Sequence, residues 1–457
     1  MRDMTKGSIG KHLISYALPM IAGNIMQLTY NAADSVVIGK NLGKDALAAV
    51  STSGPVMTVA VLGASGMGIG ASVLMSRLKG AGDREGLKKE FSTALLFGFA
   101  FSLCVFLLGF LFAGSVLRLI NTPEESFRYA CTYLRTVLVG FLFTFQYNIL
   151  SNSLRALGDS KTPVLILFFT CLLNIAGDLL LVKVFRAGVL GAGLATVFAQ
   201  AVSVLLCAVY IAKKVPELRL ARGDWRIDRK MLAETLKIGG ISALQQTAQP
   251  VGKVLIQSVI NSGGVVAVDA FNTVCRVDDF ACIPAQSIGS GIMTCSAQNR
   301  GAGSRSRVRE TLKNGLLLGL CWFPVICLLT LLLKGPVSAL LAPAAEEGAD
   351  TVELILTESE KYLSVKALFF IMPCILNAMQ GFLRGMGRMT AVLCGTVIQI
   401  SLRAVFTAVL FPEMGITGEA WACLIGWSCQ LLFTGTLLLV LLKRGREAPE
   451  PYGKREV

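Results

Sequence analysis

Gly66-Met-Gly-Ile-Gly-Ala-Ser72, which runs on into Arg77-Leu-Lys-Gly-Ala-Gly82, occurs twice in this chain. The second copy is Ser287-Ile-Gly-Ser-Gly-Ile-Met293, running on into Gln298-Asn-Arg-Gly-Ala-Gly303. Gly68 falls on Gly289, Gly70 on Gly291, Gly80 on Gly301 and Gly82 on Gly303, each 221 residues apart (289 − 68). Farther along, Leu154-Arg-Ala-Leu-Gly158 returns as Leu383-Arg-Gly-Met-Gly387 at a separation of 229 (387 − 158). The eight added residues (229 − 221) fit the polar stretch Ala344–Thr351. A repeat covering half the chain means two copies of one fold, so architecture has to be read before any motif.

Composition fixes the solvent. Of 457 residues 54% are hydrophobic and only 16% charged, where a soluble domain carries about 25% charged residues. Mean hydropathy is +0.64. Apolar runs recur from Leu13 to Leu442, many near the roughly 20 residues a helix needs to cross the hydrocarbon core. Short alternating strands are absent, which argues against a barrel. The expectation is an all-α polytopic membrane protein of about twelve spans, near 13–37, 46–76, 90–112, 127–152, 163–183, 189–212, 233–261, 265–297, 312–333, 356–382, 389–411 and 418–442. The run from Leu13 passes any plausible cleavage site and reads as a retained helix.

Charge sets the orientation. Lys and Arg gather in alternate loops, at Arg77–Lys89, Arg155 and Lys161, Lys213–Lys230, Arg300–Lys313, Arg384 and Arg388, and Lys443–Arg446, while the other loops are sparse or acidic. The positive-inside rule then puts both termini in the cytoplasm. The net charge of +14 is topological, with affinity for anionic lipid and no call for nucleic acid. We expect a six-helix lobe over residues 1–212, a basic cytoplasmic linker over 213–232, a second six-helix lobe over 233–445 and a cytoplasmic tail over 446–457. Two even-numbered copies enter the membrane from one side, so a pseudo-two-fold along the membrane normal and a cavity between lobes are expected, which is transporter geometry.

Several chemistries can be set aside. The single histidine, His12, has no ligand-spaced partner, and the thirteen cysteines lie mostly in apolar runs as small hydrophobes. No nucleotide-binding loop is present. We therefore expect no enzyme activity, no catalytic residue, no cofactor, and transport driven by an ion gradient.

Ionisable groups at membrane depth are expensive and functional by default. Asp34 lies late in the first span; Asn174 and Asp178, four apart, project from one face of the fifth; Thr196 lies in the sixth, with Ala192 one turn before it. A tight connection between the fifth and sixth spans lets these groups converge in the outer half of the first lobe. Two carboxylates, an amide, a hydroxyl and the Ala192 carbonyl suit Na⁺, which favours hard oxygens. They equally suit H⁺, since burial and a neighbouring carboxylate raise a carboxyl pKa. At the 229 separation Asn174 falls on Arg403 and Asp178 on Thr407, so coupling should belong to the first lobe alone. The second lobe has Arg276-Val-Asp278-Asp279, where Arg276 and Asp279 could neutralise each other or contact substrate. Gln245, Gln246 and Gln249 form a weaker polar face.

At these residues the chain resembles the multidrug and toxic compound extrusion (MATE) family of the MOP superfamily, in its bacterial DinF-like branch. The resemblance runs from Leu18-Pro19 through Asp34, Gly39, Leu42-Gly43 and Ala46-Leu-Ala-Ala49 to Leu154-Arg-Ala-Leu-Gly-Asp159 and its second copy. Asp34, Asn174-x-x-x-Asp178 and Ala192-x-x-x-Thr196 match the family's first-lobe cation site. The resemblance implies efflux of cationic or amphiphilic drugs by antiport with Na⁺ or H⁺, in the cytoplasmic membrane of a bacterium and by a monomer. It departs where some relatives carry an acidic second-lobe site, since Arg403 and Thr407 leave no equivalent. Pro19 can bend the first span during alternating access, and the paired glycines allow close helix contact. Met20, Met26, Tyr30, Met57, Met67, Phe141, Phe145 and Tyr147, with Gln246, Arg276 and Asp279, are candidates for a substrate cavity. Two other readings stand beside drug export: a flippase for a lipid-linked saccharide, which needs a basic cavity built on Arg276 and Arg403, and a scaffold or sensor that transports nothing.

Overall fold

Why the repeat folds as it does is visible at its turns. The computed structural model describes the backbone of residues 3–42, 44–119, 122–341 and 349–443, with side chains throughout except at 30–53, 55, 56, 125, 340, 341 and 349. Gly82 and Gly303 have φ of 73° and 72°, and Gly158 and Gly387 have 83° and 67°. A positive φ suits glycine and ends a helix by letting the next N–H turn back onto it. The bonds repeat residue for residue: Asp83 N–H donates to Leu78 O and Ser304 N–H to Asn299 O, both at 3.0 Å, while Asp159 N–H donates to Leu154 O and Arg388 N–H to Leu383 O.

Thirteen α-helices run between these turns among the described residues: α1 Ile9–Leu42, α2 Lys44–Ala81, α3 Arg84–Leu119, α4 Glu124–Ala156, α5 Lys161–Asp178, α6 Gly188–Lys214, α7 Arg229–Ile260, α8 Gly264–Gly301, α9 Arg305–Leu341, α10 Ala349–Phe369, α11 Ile371–Gly385, α12 Met389–Met414 and α13 Ile416–Lys443. Helices α10 and α11 make one bent span with a 49° break at Phe370. Pro373 causes it, lacking the N–H that would bond to Phe369 O and crowding that carbonyl. Counting α10 with α11 as one gives the twelve expected helical segments; among the described residues nine helices are long and apolar enough to cross a membrane, ten with the bent pair, and the chain is a multi-pass membrane protein. Most helices overrun the apolar runs, because hydropathy marks the hydrocarbon while the helix continues into polar caps.

Two compact units form. One holds Met1–Asp3 with Pro19–Ala243, the other Met4–Leu18 with Leu244–Val457. The units therefore share α1 at Pro19, and the first unit includes the start of α7. In the first unit α4 packs on α2, α3 and α6, with α5 on α6; in the second, α8 packs on α11 and α9, and α12 on α13. The core of the first unit gathers Leu74, Phe91, Phe141, Phe145, Leu150 and Leu154, that of the second Ile256, Phe271, Tyr362, Leu363 and Phe411.

The repeated glycines are seats for these crossings. A Cβ on Gly70 would meet Gly239 Cα of α7 at 2.6 Å, and one on Gly289 would meet Asn377 O of α11 at 2.7 Å. Met4–Leu18 docks on α8 of the second unit: Met4 N–H donates to Gln298 Oε1 and Asn299 Nδ2 to Met4 O, each at 3.1 Å. Tyr16 and Thr294 hydroxyls bond at 3.1 Å.

Candidate functional site

Helix α5 is mostly apolar beyond Thr162, broken by Thr170, and closes on two polar residues of one face, Asn174 and Asp178. Beyond Asp178 it widens into a π-turn over Leu179–Val184, in which Phe185 N–H reaches back to Leu180 O at 2.9 Å. Such turns recur at functional sites because they re-aim the side chains beside them. Arg186 and Gly188, with φ of 52° and 62°, then reverse the chain into α6. Helix α6 returns close to α5: a Cβ on Gly177 would sit 3.0 Å from Ala195 Cβ.

This closeness brings the polar groups together. Asn174 Nδ2 donates to Thr196 Oγ1 at 3.3 Å, and Thr196 Oγ1 donates to Ala192 O at 3.1 Å. Asn174 and Ala192 are buried, and Asp178, one turn further along α5, has no exposed surface at all. Four of the five residues expected at the cation site thus lie on facing stretches of α5 and α6. Asp34 lies on α1, but its side chain is outside the described residues, as is that of Tyr30. Among the described residues no group of three or more His, Cys, Asp or Glu side chains could hold a metal ion.

Sequence reasoning missed the rest of this ladder. Ser203 Oγ donates to Thr170 Oγ1 at 3.0 Å, and Tyr210 OH donates to Asp159 Oδ2 at 3.1 Å. Asp159 also accepts from the backbone N–H of Thr162 at 3.0 Å and from its hydroxyl at 2.8 Å, fixing the start of α5. The signal was available, since Asp159 and Thr162 stand at the spacing of a helix cap.

The second unit fills the equivalent place with charge. Arg403, the counterpart of Asn174, donates through Nε to Glu419 Oε1 at 2.6 Å. Glu419 stands four residues after Gly415 (φ 59°), as Ala192 stands four after Gly188, so this ion pair occupies the position of the Asn174–Thr196–Ala192 chain. Among the described residues Thr407, the counterpart of Asp178, bonds within its own helix, to Arg403 O at 2.7 Å.

Of the two alternatives for Arg276 and Asp279, their mutual ion pair is not formed among the described residues. Asp278, not Asp279, forms an ion pair, and its partner is the wholly buried Lys366 of α10. Lys366 also reaches Tyr362 OH at 3.2 Å and lies 4.9 Å from the centroid of the Tyr362 ring. Asp279 and Arg276 are exposed, and among the described residues Asp279 takes part in no ion pair. Helix direction explains the difference, because Asp278 is the residue of the stretch that α10 faces.

The wall candidates divide. Phe145 is fully buried in the core of the first unit, with its ring 5.6 Å from that of Phe101. Phe141, Met20 and Met67 are buried as well. Tyr147 is buried and spends its hydroxyl on Pro163 O at 3.0 Å. Met26, Met57 and Gln246 are half-buried. Gln245 is structural: it donates to Thr396 Oγ1 at 3.3 Å and accepts from Arg384 at 3.1 Å.

The family profile described as MatE matches residues 19–180 and 242–409, one match in each half of the repeat. The chain is 32% identical to the probable multidrug resistance protein YpnP of Bacillus subtilis (strain 168) over 308 residues, 67% of this chain and 68% of the relative. It is 23% identical to the multidrug export protein MepA of Staphylococcus aureus (strain MSSA476), over 96% of this chain and 95% of that one. A solved structure described as the outward-facing conformation of a multidrug resistance MATE family transporter of the MOP superfamily superposes with a TM-score of 0.88. It covers 98% of both chains at 20% identity, a likeness of fold.

Proposed function

Because the chain belongs to the MatE family of membrane transporters, we propose that it exports cationic or amphiphilic small molecules by antiport with Na⁺ or H⁺. Its relatives YpnP and MepA are described as a multidrug resistance protein and a multidrug export protein. The observation that carries the coupling is the fully buried Asp178 beside the Asn174–Thr196–Ala192 chain. A carboxylate on a membrane helix is costly unless it has a task, and a small cation or a proton supplies one. Asp34, late on α1, is the second carboxylate of this reading.

Binding of the ion cancels a buried charge and biases α1, the helix divided between the two units at Pro19. Alternating access follows when ion and drug favour opposite-facing states, since a ligand shifts an equilibrium only by its differential affinity. The second lobe carries no coupling role, because Arg403 and Glu419 already neutralise each other there. That same pair weakens the flippase reading, which needs Arg403 free to hold a diphosphate. The protein works in the bacterial cytoplasmic membrane as a monomer with both termini inside.

Dye export in inverted vesicles under imposed Na⁺ or H⁺ gradients tests this. One gradient drives transport in the wild type; Asp34→Asn and Asp178→Asn lose most of the driven component, while Thr407→Val keeps it. Full coupling in Asp178→Asn sinks the proposal.

A further inference from the structure

The second unit contains a cavity of about 310 Å³ between α7, α8 and α12, with Gln249, Lys253, Asp278, Asp279, Gln399 and Arg403 on its wall. That is the scale of small-molecule sites. Its charges can be accounted for one at a time. Arg403 is held by Glu419 and Asp278 by Lys366, so these four cancel. Lys253 and Asp279 remain. Both side chains are exposed, they carry opposite charge, and among the described residues neither takes part in an ion pair.

Depth gives this remainder its meaning. Lys253 stands seven residues before the end of α7 at Ile260, and Asp279 fifteen after the start of α8 at Gly264. At the 1.5 Å rise of a helix these are about 10 Å and 22 Å from the helix ends. An exposed charge at such depth faces a wet pathway, because lipid would penalise it by several kcal/mol. Two opposite charges on one cavity wall, left apart, fit a ligand that brings one charge of each sign. Ile256 and Ile400 on the same wall offer an apolar surface for its body, and the amides of Gln249 and Gln399 can orient its polar ends.

We propose that this cavity binds zwitterionic amphiphiles, seating a carboxylate on Lys253 and an amine on Asp279. The proposal rests on the export reading and narrows its substrate class. It assigns the second lobe a part in substrate binding, separate from the ion coupling assigned to the first.

Three xanthene dyes of nearly equal size test it on the purified full-length protein by fluorescence anisotropy: a diamino-rhodamine free acid, which is a zwitterion, its methyl ester, a cation, and fluorescein, an anion. The wild type should favour the free acid. In Lys253→Gln the affinity ratio of free acid to ester should fall about tenfold, the scale of one charge-assisted hydrogen bond, and Lys253→Arg should restore it. Asp279→Asn should weaken both rhodamines and strengthen fluorescein. A ratio unchanged by Lys253→Gln, or no saturable binding of the free acid, overturns the proposal. The two readings fail separately: gradient-driven export of the ester without this charge preference leaves export standing and removes the zwitterion site. Charge-selective binding without transport does the reverse.

Discussion

Thr196 does two things with one oxygen. Its hydroxyl donates to Ala192 O and accepts from Asn174 Nδ2, so it ties the two helices beside Asp178. Thr196→Val keeps the shape and deletes both bonds. Hydrogen bonds between membrane helices are worth about 1 kcal/mol or less, so thermal unfolding in detergent should fall by that order, and Thr196→Ser should recover it. If Thr196→Val costs nothing in stability and nothing in gradient-driven transport, the chain of bonds is incidental. The counterpart pair behaves differently. Glu419 is fully buried and Arg403 half-buried, and stranding one buried charge costs about 3–5 kcal/mol, whereas replacing both partners by apolar residues is often neutral. Glu419→Gln should therefore destabilise strongly, and Arg403→Met with Glu419→Met together much less. Two mild single substitutions with a severe double one would contradict the pairing.

At the scale of elements, adjacent glycines of α7 have opposite duties. A Cβ on Gly239 would lie 3.0 Å from Met67 Cα and 2.9 Å from its Sδ, while one on Gly240 meets nothing within 4 Å. Gly239→Ala should push α7 from α2 and cost about 1–3 kcal/mol, as overpacking does. Gly240→Ala should be neutral or gain up to about 1 kcal/mol from helix propensity. Melting temperatures moving the same way in both variants would remove the seat argument. Much of this was legible in sequence, because a backbone that needs positive φ or close approach calls for glycine, and the repeat marks each such place twice. The bend at Phe370 was hidden within one apolar run, although Pro373 signalled it. Lys366 was hidden more deeply. A lysine inside Leu363–Phe370 has no local pattern that names its partner, and Asp278 lies 88 residues away (366 − 278). The α5–α6 ladder falls between: Asn174, Asp178 and Thr196 stood out as polar groups in apolar helices, but Ser203 and Thr170 look ordinary until the helices meet.

The whole molecule does not divide where its repeat does. Residues 4–18 belong with the second unit and the first fifteen residues of α7 with the first, an exchange that local patterns cannot reveal, since each segment reads as an ordinary start of a span. Cutting the exposed linker between Arg222 and Gly223 exploits this. The fragment 1–222 loses Thr235, which donates to the buried Glu90 at 2.6 Å, and the residues whose backbone N–H groups reach Ser92 at 3.1 Å and Thr93 at 3.0 Å. It also bares the seats of Gly66 and Gly70. The fragment 223–457 loses Met4 from Gln298 and Asn299, and Tyr16 from Thr294. Buried polar groups stripped of partners cost about 1–3 kcal/mol each, against a total stability of about 5–15 kcal/mol. Neither fragment should accumulate alone in membranes, and co-expression should restore both together with dye export. A fragment 1–222 that accumulates to full level and resists protease without its other half would mean that the exchanged ends contribute little to either unit.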